Sequence, residues 1–233
     1  MKRTEYIEKI LQIYSLVRVL SRKNSCEVLQ LRNRKAEKDL VLRSFPTPLM
    51  AYKKLQNIRC LNLPEIYDVL DMDDGQIVLE EFIDGVTATQ VMEIEKIRYA
   101  GARKVLFGIC DALTVLHDRG IIHRDVKPEN VMIDSSGRVV LVDLNASRVE
   151  SDASKDTVIM GTVGYAPPEQ LGLSQTDART DIYATGVLYN VMLTGQHPSV
   201  TIASGKAGRI VRKCTAVNPD ERYQTATELL SAL

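Results

Sequence analysis

The stretch Ile121-Ile-His-Arg-Asp-Val-Lys-Pro-Glu-Asn130 constrains this chain more than any other. Two apolar residues lead directly into a string of ionisable and amide side chains. Read blandly, the string is an exposed polar turn after a hydrophobic strand. Read as chemistry, it sets an acid, a cation and an amide at the offsets that phosphoryl transfer uses. Asp125 would orient the attacking hydroxyl and accept its proton, Lys127 would neutralise the transferred phosphoryl group, and Asn130 would hold a magnesium ion.

At 233 residues the chain can bury a full core, in one large or two small packed lobes. Thirty basic residues offset thirty acidic ones, so no global field draws it to nucleic acid or anionic lipid. The basic run from Arg22 to Arg43 is interleaved by Glu27, Glu37 and Asp39 and reads as a solvated hairpin edge. Cys26, Cys60, Cys110 and Cys214 stand far apart without a CxxC pair. That spacing suits reduced thiols in a cytoplasm and argues against a zinc site or a disulfide frame. No signal sequence and no membrane-length apolar run are apparent, so the expectation is a soluble, cytoplasmic chain.

The local pattern changes character partway along. Tyr14–Leu20, Glu27–Arg32, Asp39–Phe45, Tyr67–Asp71 and Gln76–Glu80 are β-prone runs split by polar or glycine turns. One helix interrupts them, predicted over Leu49–Leu61 from Leu55, Ile58 and Leu61. From Ala88 onward helices dominate. Glu95–Arg119 carries a stripe of Val105, Ile109, Ala112 and Leu116, and a later helix is predicted over Gly208–Val217. The expected fold class is α+β: a small antiparallel β-rich lobe over residues 1–82 and a larger, mostly helical lobe over 83–233.

Two further motifs follow the first. Val140-Leu-Val-Asp-Leu-Asn-Ala146 is an apolar strand delivering Asp143 to its end, where a carboxylate can bridge magnesium to nucleotide phosphates; an acid there can also be a simple turn former. Gly161-Thr-Val-Gly-Tyr-Ala-Pro-Pro-Glu169 closes a segment long enough to form a peptide-docking floor. With these residues in view, the chain resembles bacterial Ser/Thr protein kinases of the eukaryotic-like type, over essentially its whole length. Thr180-Asp-Ile-Tyr-Ala-Thr-Gly-Val-Leu188 resembles the family helix whose acid, here Asp181, braces the catalytic loop. Asn218-Pro-Asp-Glu-Arg-Tyr223 resembles its last corner, which implies a buried Glu169–Arg222 ion pair. Lys127 and Thr162 match the Ser/Thr variant of these loops. Arg124 beside Asp125, in the loop opened by His123, implies activation by phosphorylation at Ser151, Ser154, Thr157 or Thr162.

The resemblance also implies ATP with Mg2+ or Mn2+, a nucleotide site built from Val28, Val41, Arg43, Glu81, Ile83 and Met132, and metal ligands Asn130 and Asp143. Against the family pattern, Ser21, Lys23 and Cys26 stand where three glycines belong, which stiffens the nucleotide loop. Arg43 replaces the phosphate-gripping lysine, and Val41 narrows the ceiling over the adenine. The helix position that should hold a partner glutamate falls on Lys54, on what reads equally as an exposed helix face. Lys23, Lys53 or Lys54 are alternative phosphate contacts, and Glu80, at the back of the pocket, is an acid that Arg43 can use. Leu144-Asn145 replaces Phe-Gly after Asp143: Leu144 can still pack, and Asn145 is the residue expected to tolerate unusual backbone angles. The segment from Gly195 to Arg222 leaves no room for the family's additional docking helix. The leading expectation is a Ser/Thr protein kinase acting on protein hydroxyls, its catalysis slowed by the divergent nucleotide loop, possible as a homodimer, with no nucleic-acid partner. Its rival is a pseudokinase scaffold.

Overall fold

The computed structural model describes residues 1–23, 25–94, 97–149, 164–171 and 175–233. Its contacts divide into two compact units, Met1–Cys60 with Pro64–Ile83, and Leu61–Leu63 with Asp84–Leu233.

The first unit is a five-stranded antiparallel sheet made of β1 (Tyr14–Lys23), β2 (Cys26–Asn33), β3 (Asp39–Phe45), β4 (Ile66–Met72) and β5 (Gly75–Glu81), in the order β1-β2-β3-β5-β4. Alternation sorts its residues onto two faces. Leu29, Leu31, Leu40, Leu42 and Ile77 form a core cluster on one face, and Ile10 of helix α1 (Arg3–Ile10) joins it with Tyr6, Ile7 and Leu11 packed alongside. Each such leucine or isoleucine taken from water is worth about 1.5–3 kcal/mol. The first turn of α1 is tied to the β4–β5 turn: the Met1 ammonium lies 2.7 Å from Asp73 Oδ2, and the Arg3 amide donates to Asp74 Oδ1 at 2.7 Å.

The unit thus holds two helices where one was expected. The second, α2 (Met50–Leu55), packs Tyr52 on Phe45 with ring centroids 5.6 Å apart. It is also shorter than the predicted Leu49–Leu61 span. Gln56 is already extended at ψ 132, and Asn57 turns left-handed at φ 67, a stop that asparagine makes at low cost. Leu61, the last residue of the supposed stripe, is 79% exposed.

The second unit packs around helix α4, after β6 (Gly85–Thr87) and α3 (Ala88–Ile94). α4 runs from Tyr99 to His117 and therefore starts later than the predicted Glu95. Its stripe of Val105, Ile109, Ala112 and Leu116 is buried as the spacing required. At Gly108 a Cβ would meet Val139 at 2.7 Å and Asn62 at 2.8 Å, so glycine is what lets α4 seat against the sheet of β6, β8 (Val131–Asp134) and β9 (Val139–Leu141). β7 (Ile121–Ile122) pairs with β10 (Arg148–Val149). Helices α5 (Ala178–Thr194), α6 (Gly205–Cys214) and α7 (Ala226–Ala232) complete the unit.

α6 is shifted from the predicted Gly208–Val217 span; Val217 lies beyond it and is 76% exposed. It is the one α-helix between Gly195 and Arg222, among residues that are all described. The chain around it is held by buried Asn190, which donates to the Gln196 and Thr201 carbonyls at 2.8 and 2.7 Å and accepts from the Ala203 amide at 2.9 Å. No helix among the described residues is long and apolar enough to cross a membrane.

Candidate active site

In the larger unit, buried β7 feeds the polar string into a frame supplied by α5. Asp181, in the first turn of that helix, is fully buried. Its Oδ1 accepts from the Arg124 amide at 2.8 Å; its Oδ2 accepts from the His123 amide and lies against His117 Nε2, both at 2.8 Å. The brace expected of Asp181 is therefore in place, with His117 as a member that sequence reasoning had passed over. His123 is buried, its ring nitrogens 3.3 Å from the Val142 carbonyl and the Asp125 amide.

Arg124 adopts φ 64, a left-handed angle that costs a non-glycine residue on the order of 1 kcal/mol or more. The surroundings hold it there. Besides the Asp181 contact, Arg124 Nε donates to the Ala146 carbonyl at 2.7 Å, and Gln170 Nε2 donates to the Arg124 carbonyl at 2.7 Å. Gln170, the residue after Glu169, was also missed. No local pattern marks an amide whose partner lies in a distant loop.

The consequence is a small cluster of the three reactive side chains. Lys127 Nζ lies 2.8 Å from Asp125 Oδ2, and Asn130 Nδ2 donates to the same oxygen and to the Asp125 carbonyl, each at 2.8 Å. The Val142 amide donates to the Asn130 carbonyl at 2.9 Å, which brings the end of β9 and hence Asp143 alongside this loop. Asp143 adopts φ 70 and its Oδ1 accepts from the Asn145 amide at 3.2 Å. The unusual backbone angle expected at Asn145 is thus found two residues earlier, at Asp143. Leu144 is buried, as a packing role requires. An Asn amide and an Asp carboxylate offer the hard oxygen donors that magnesium takes together with water and phosphate oxygens. No group of three or more His, Cys, Asp or Glu suited to a metal occurs among the described residues.

Glu169 and Arg222 meet through two hydrogen bonds, Nη1 to Oε1 at 2.5 Å and Nη2 to Oε2 at 2.9 Å. Arg222 spends its other donors on the carbonyls of Ala216, Arg179 and Val217, so a fully buried guanidinium leaves none of its five N–H groups unmatched. Nearby, burial first and Glu129 second push the Tyr165 hydroxyl up to about 12. Thr162, Ser151, Ser154 and Thr157, the expected modification sites, lie outside the described residues.

In the smaller unit, Val28, Val41 and Arg43 share one sheet face, since Val28 is registered with Arg43, and Val41 is two residues from it. Glu80 is on that face too. It opposes Val41 while Arg43 opposes Val78, a diagonal cross-strand relation, and Arg43 Nε donates to Glu80 Oε1 at 2.5 Å in a buried pair. α2 supplies no acid here. Its Lys53 pairs with Asp71 on β4 in an exposed contact. The glycine-free loop is a tight hairpin: β1 stays paired through Ser21 and Lys23 to Cys26, with irregularities between Leu16 and Arg18 and between Val19 and Ser21, and Ser25 turns at φ 62. The remaining nucleotide candidates are Glu81, Ile83 and Met132. Glu81 alternates away from Glu80 and accepts from the Glu65 amide at 3.2 Å, Ile83 is buried, and Met132 sits half-buried on β8 opposite Val140 in the other unit.

Comparison with known proteins agrees with this geometry. The family described as "Protein kinase domain" matches residues 19–232. The chain is 31% identical over 216 residues to the serine/threonine-protein kinase PknB of Mycobacterium tuberculosis, covering 78% of this chain and 34% of that protein. It is 32% identical over 171 residues to a probable serine/threonine-protein kinase PknB of Lactococcus lactis, covering 72% and 27%. A probable serine/threonine-protein kinase of Streptomyces coelicolor is 27% identical over 93% of this chain and 38% of its own length. The chain spans about a third of the length of these relatives. With the braced loop, the buried Glu169–Arg222 pair and a match running nearly end to end, the chain belongs to the protein kinase family.

Proposed function

We propose that this chain is a Ser/Thr protein kinase that moves the γ-phosphate of ATP to protein hydroxyls, with magnesium or manganese. The observation that carries the reading is the cluster of Asp125, Lys127 and Asn130 at 2.8 Å contacts, hung on buried Asp181. Asp125 orients the acceptor hydroxyl and takes its proton. Lys127, beside it, offsets charge on the transferred group. The oxygens of Asn130 and Asp143 would hold the cation, which would supply charge neutralisation on the phosphates. In the smaller unit Arg43, on the sheet face it shares with Val28 and Val41, is the residue proposed to contact phosphate. Relatives named as serine/threonine kinases support the same class of acceptor.

A second reading, a scaffold without transfer, is favoured by one observation: the nucleotide hairpin carries no glycine and is paired to its tip. The test is phosphorylation of a generic basic protein with labelled ATP and magnesium. Asp125→Asn is expected to lower the rate at least about 100-fold with the fold intact by circular dichroism. Equal turnover in the variant would show that the base is misassigned, and no turnover in the parent would favour the scaffold.

A further inference from the structure

The nucleotide hairpin carries no glycine and stays paired to its turn, Lys23 against Cys26. A glycine loop can settle over phosphates by its own flexibility; a stiff one takes the pose its attachments give it. One attachment comes from helix α1. Arg3 is the first residue of that helix, and its Nη1 donates to the Ser25 carbonyl in the hairpin turn at 3.2 Å and to Ser44 Oγ at 3.0 Å. Ser44 alternates with Arg43 on β3 and so belongs to the face of Leu40 and Leu42, against which Ile10 of α1 packs. The guanidinium therefore holds the turn from the side opposite Arg43, Val28 and Val41. Its own position is fixed at both ends of the helix. The Arg3 amide donates to Asp74 Oδ1 at 2.7 Å, Arg3 Nε lies 3.6 Å from Asp74 Oδ2, and Ile10 anchors the other end in the core. Gly75 leaves the side chain room: at φ 143, a Cβ there would stand 2.0 Å from the Phe45 carbonyl oxygen and 3.0 Å from Arg3 Nε.

We propose that Arg3 is a positioning residue for the nucleotide: by holding the Ser25 carbonyl it sets the pose of the hairpin, and α1 thereby governs how well the hairpin covers the ATP phosphates. This rests on the proposed kinase reading and deepens it. Arg3 acts through the backbone, without touching ATP. A hydrogen bond from a guanidinium to a carbonyl is charge-assisted and stronger than one between neutral groups, and this one is partly sheltered, the Arg3 side chain being 15% exposed. Because β1 and β2 are paired along the hairpin, a displacement of the turn is carried to Ser21 and Lys23, at positions where the family has glycines. Seating or lifting the first turn of α1 thus tightens or loosens ATP binding with no change to Arg43.

The test reads KM for ATP, kcat and amide hydrogen exchange in the parent, Arg3→Met, Arg3→Lys and Ile10→Val. Arg3→Met keeps the stem and removes the donors. It is expected to raise KM for ATP about fivefold with kcat within about twofold, and to speed exchange across the hairpin turn about tenfold while the Leu42 and Ile77 amides keep the parent rate. Arg3→Lys, which keeps a cation beside Asp74 but loses the fork of donors, should raise KM about threefold. Ile10→Val trims the packing of α1 without touching Arg3, and is expected to lower the unfolding midpoint while changing KM less than about 1.5-fold. Should Arg3→Met fail to fold, Arg3→Lys carries the test, and a parent-like KM in it would overturn the inference. Parent-like KM and exchange in Arg3→Met, exchange that speeds equally throughout the sheet, or a rise in KM in Ile10→Val matching that of Arg3→Met would also overturn it while leaving the kinase reading intact. A parent that binds no ATP would overturn both.

Discussion

The larger unit keeps its reactive polar residues where contiguous motifs put them, whereas the smaller unit assembles a deeply buried charge pair across two strands, Arg43 from β3 and Glu80 from β5. In the larger unit, Asp181, Glu169 and Arg222 hold the loops through several hydrogen bonds each. In the smaller, Arg43 finds Glu80 across the sheet, and α2 carries Lys53 and Lys54. The difference teaches where the fold can vary. A network with many shared partners loses several bonds when one member changes, while a pair defined by strand register can be rebuilt from any acid on the right face of the neighbouring strand.

The comparison breaks most visibly at the Glu169–Arg222 pair. Glu169→Gln removes one charge and leaves a fully buried guanidinium, at an expected loss of about 3–5 kcal/mol in urea unfolding. A loss below about 1 kcal/mol would mean that Arg222 is held by its carbonyl contacts alone. Asp181→Ala is expected to cost somewhat less, about 2–3 kcal/mol, by stranding the His123 and Arg124 amides. It should also slow phosphorylation, because the left-handed turn at Arg124 loses its support. Unaltered stability and rate would show that the brace is dispensable.

The smallest effect concerns the thiols. None of the four cysteines is in a disulfide; Cys110 and Cys214 are buried in the larger unit, and Cys26 and Cys60, in the smaller, are half-buried. Burial above all, with Asp111 adding, pushes the Cys110 thiol up to about 12, and burial pushes Cys214 up as well. Since the thiolate is the reactive form, iodoacetamide near pH 8 should label Cys26 and Cys60 and spare the other two. The sign for stability follows from the raised folded values: the contribution is complete below the unfolded thiol pKa of about 8.5 and declines as pH rises toward the folded one. Labelling of Cys110 as fast as Cys26 would show that the α4 core opens readily.

Much of the site was legible because its residues are consecutive. Ile121–Asn130 carries its own strand, turn and side-chain order, whereas Val28, Val41 and Arg43 came from resemblance to a family and share one face through the β2–β3 register. The Asp181 brace and the Glu169–Arg222 pair came from resemblance to a family, since residues this far apart in the chain have no local signature. His117 and Gln170 escaped for the same reason. The errors in element ends have local causes. The Leu55, Ile58, Leu61 spacing looked helical, but Asn57 takes a left-handed angle and Leu61 faces solvent. The first helix was overlooked although Tyr6, Ile7, Ile10 and Leu11 repeat at helical spacing.

The proposed kinase activity requires both Arg43 and the Asp125 loop to serve phosphoryl transfer. Incorporation of label from ATP and magnesium into the chain itself, run beside Asp143→Ala, tests it most directly. Label is expected in the parent and almost none in the variant; an unlabelled parent, or equal label in both, would rule out phosphoryl transfer through Asp143.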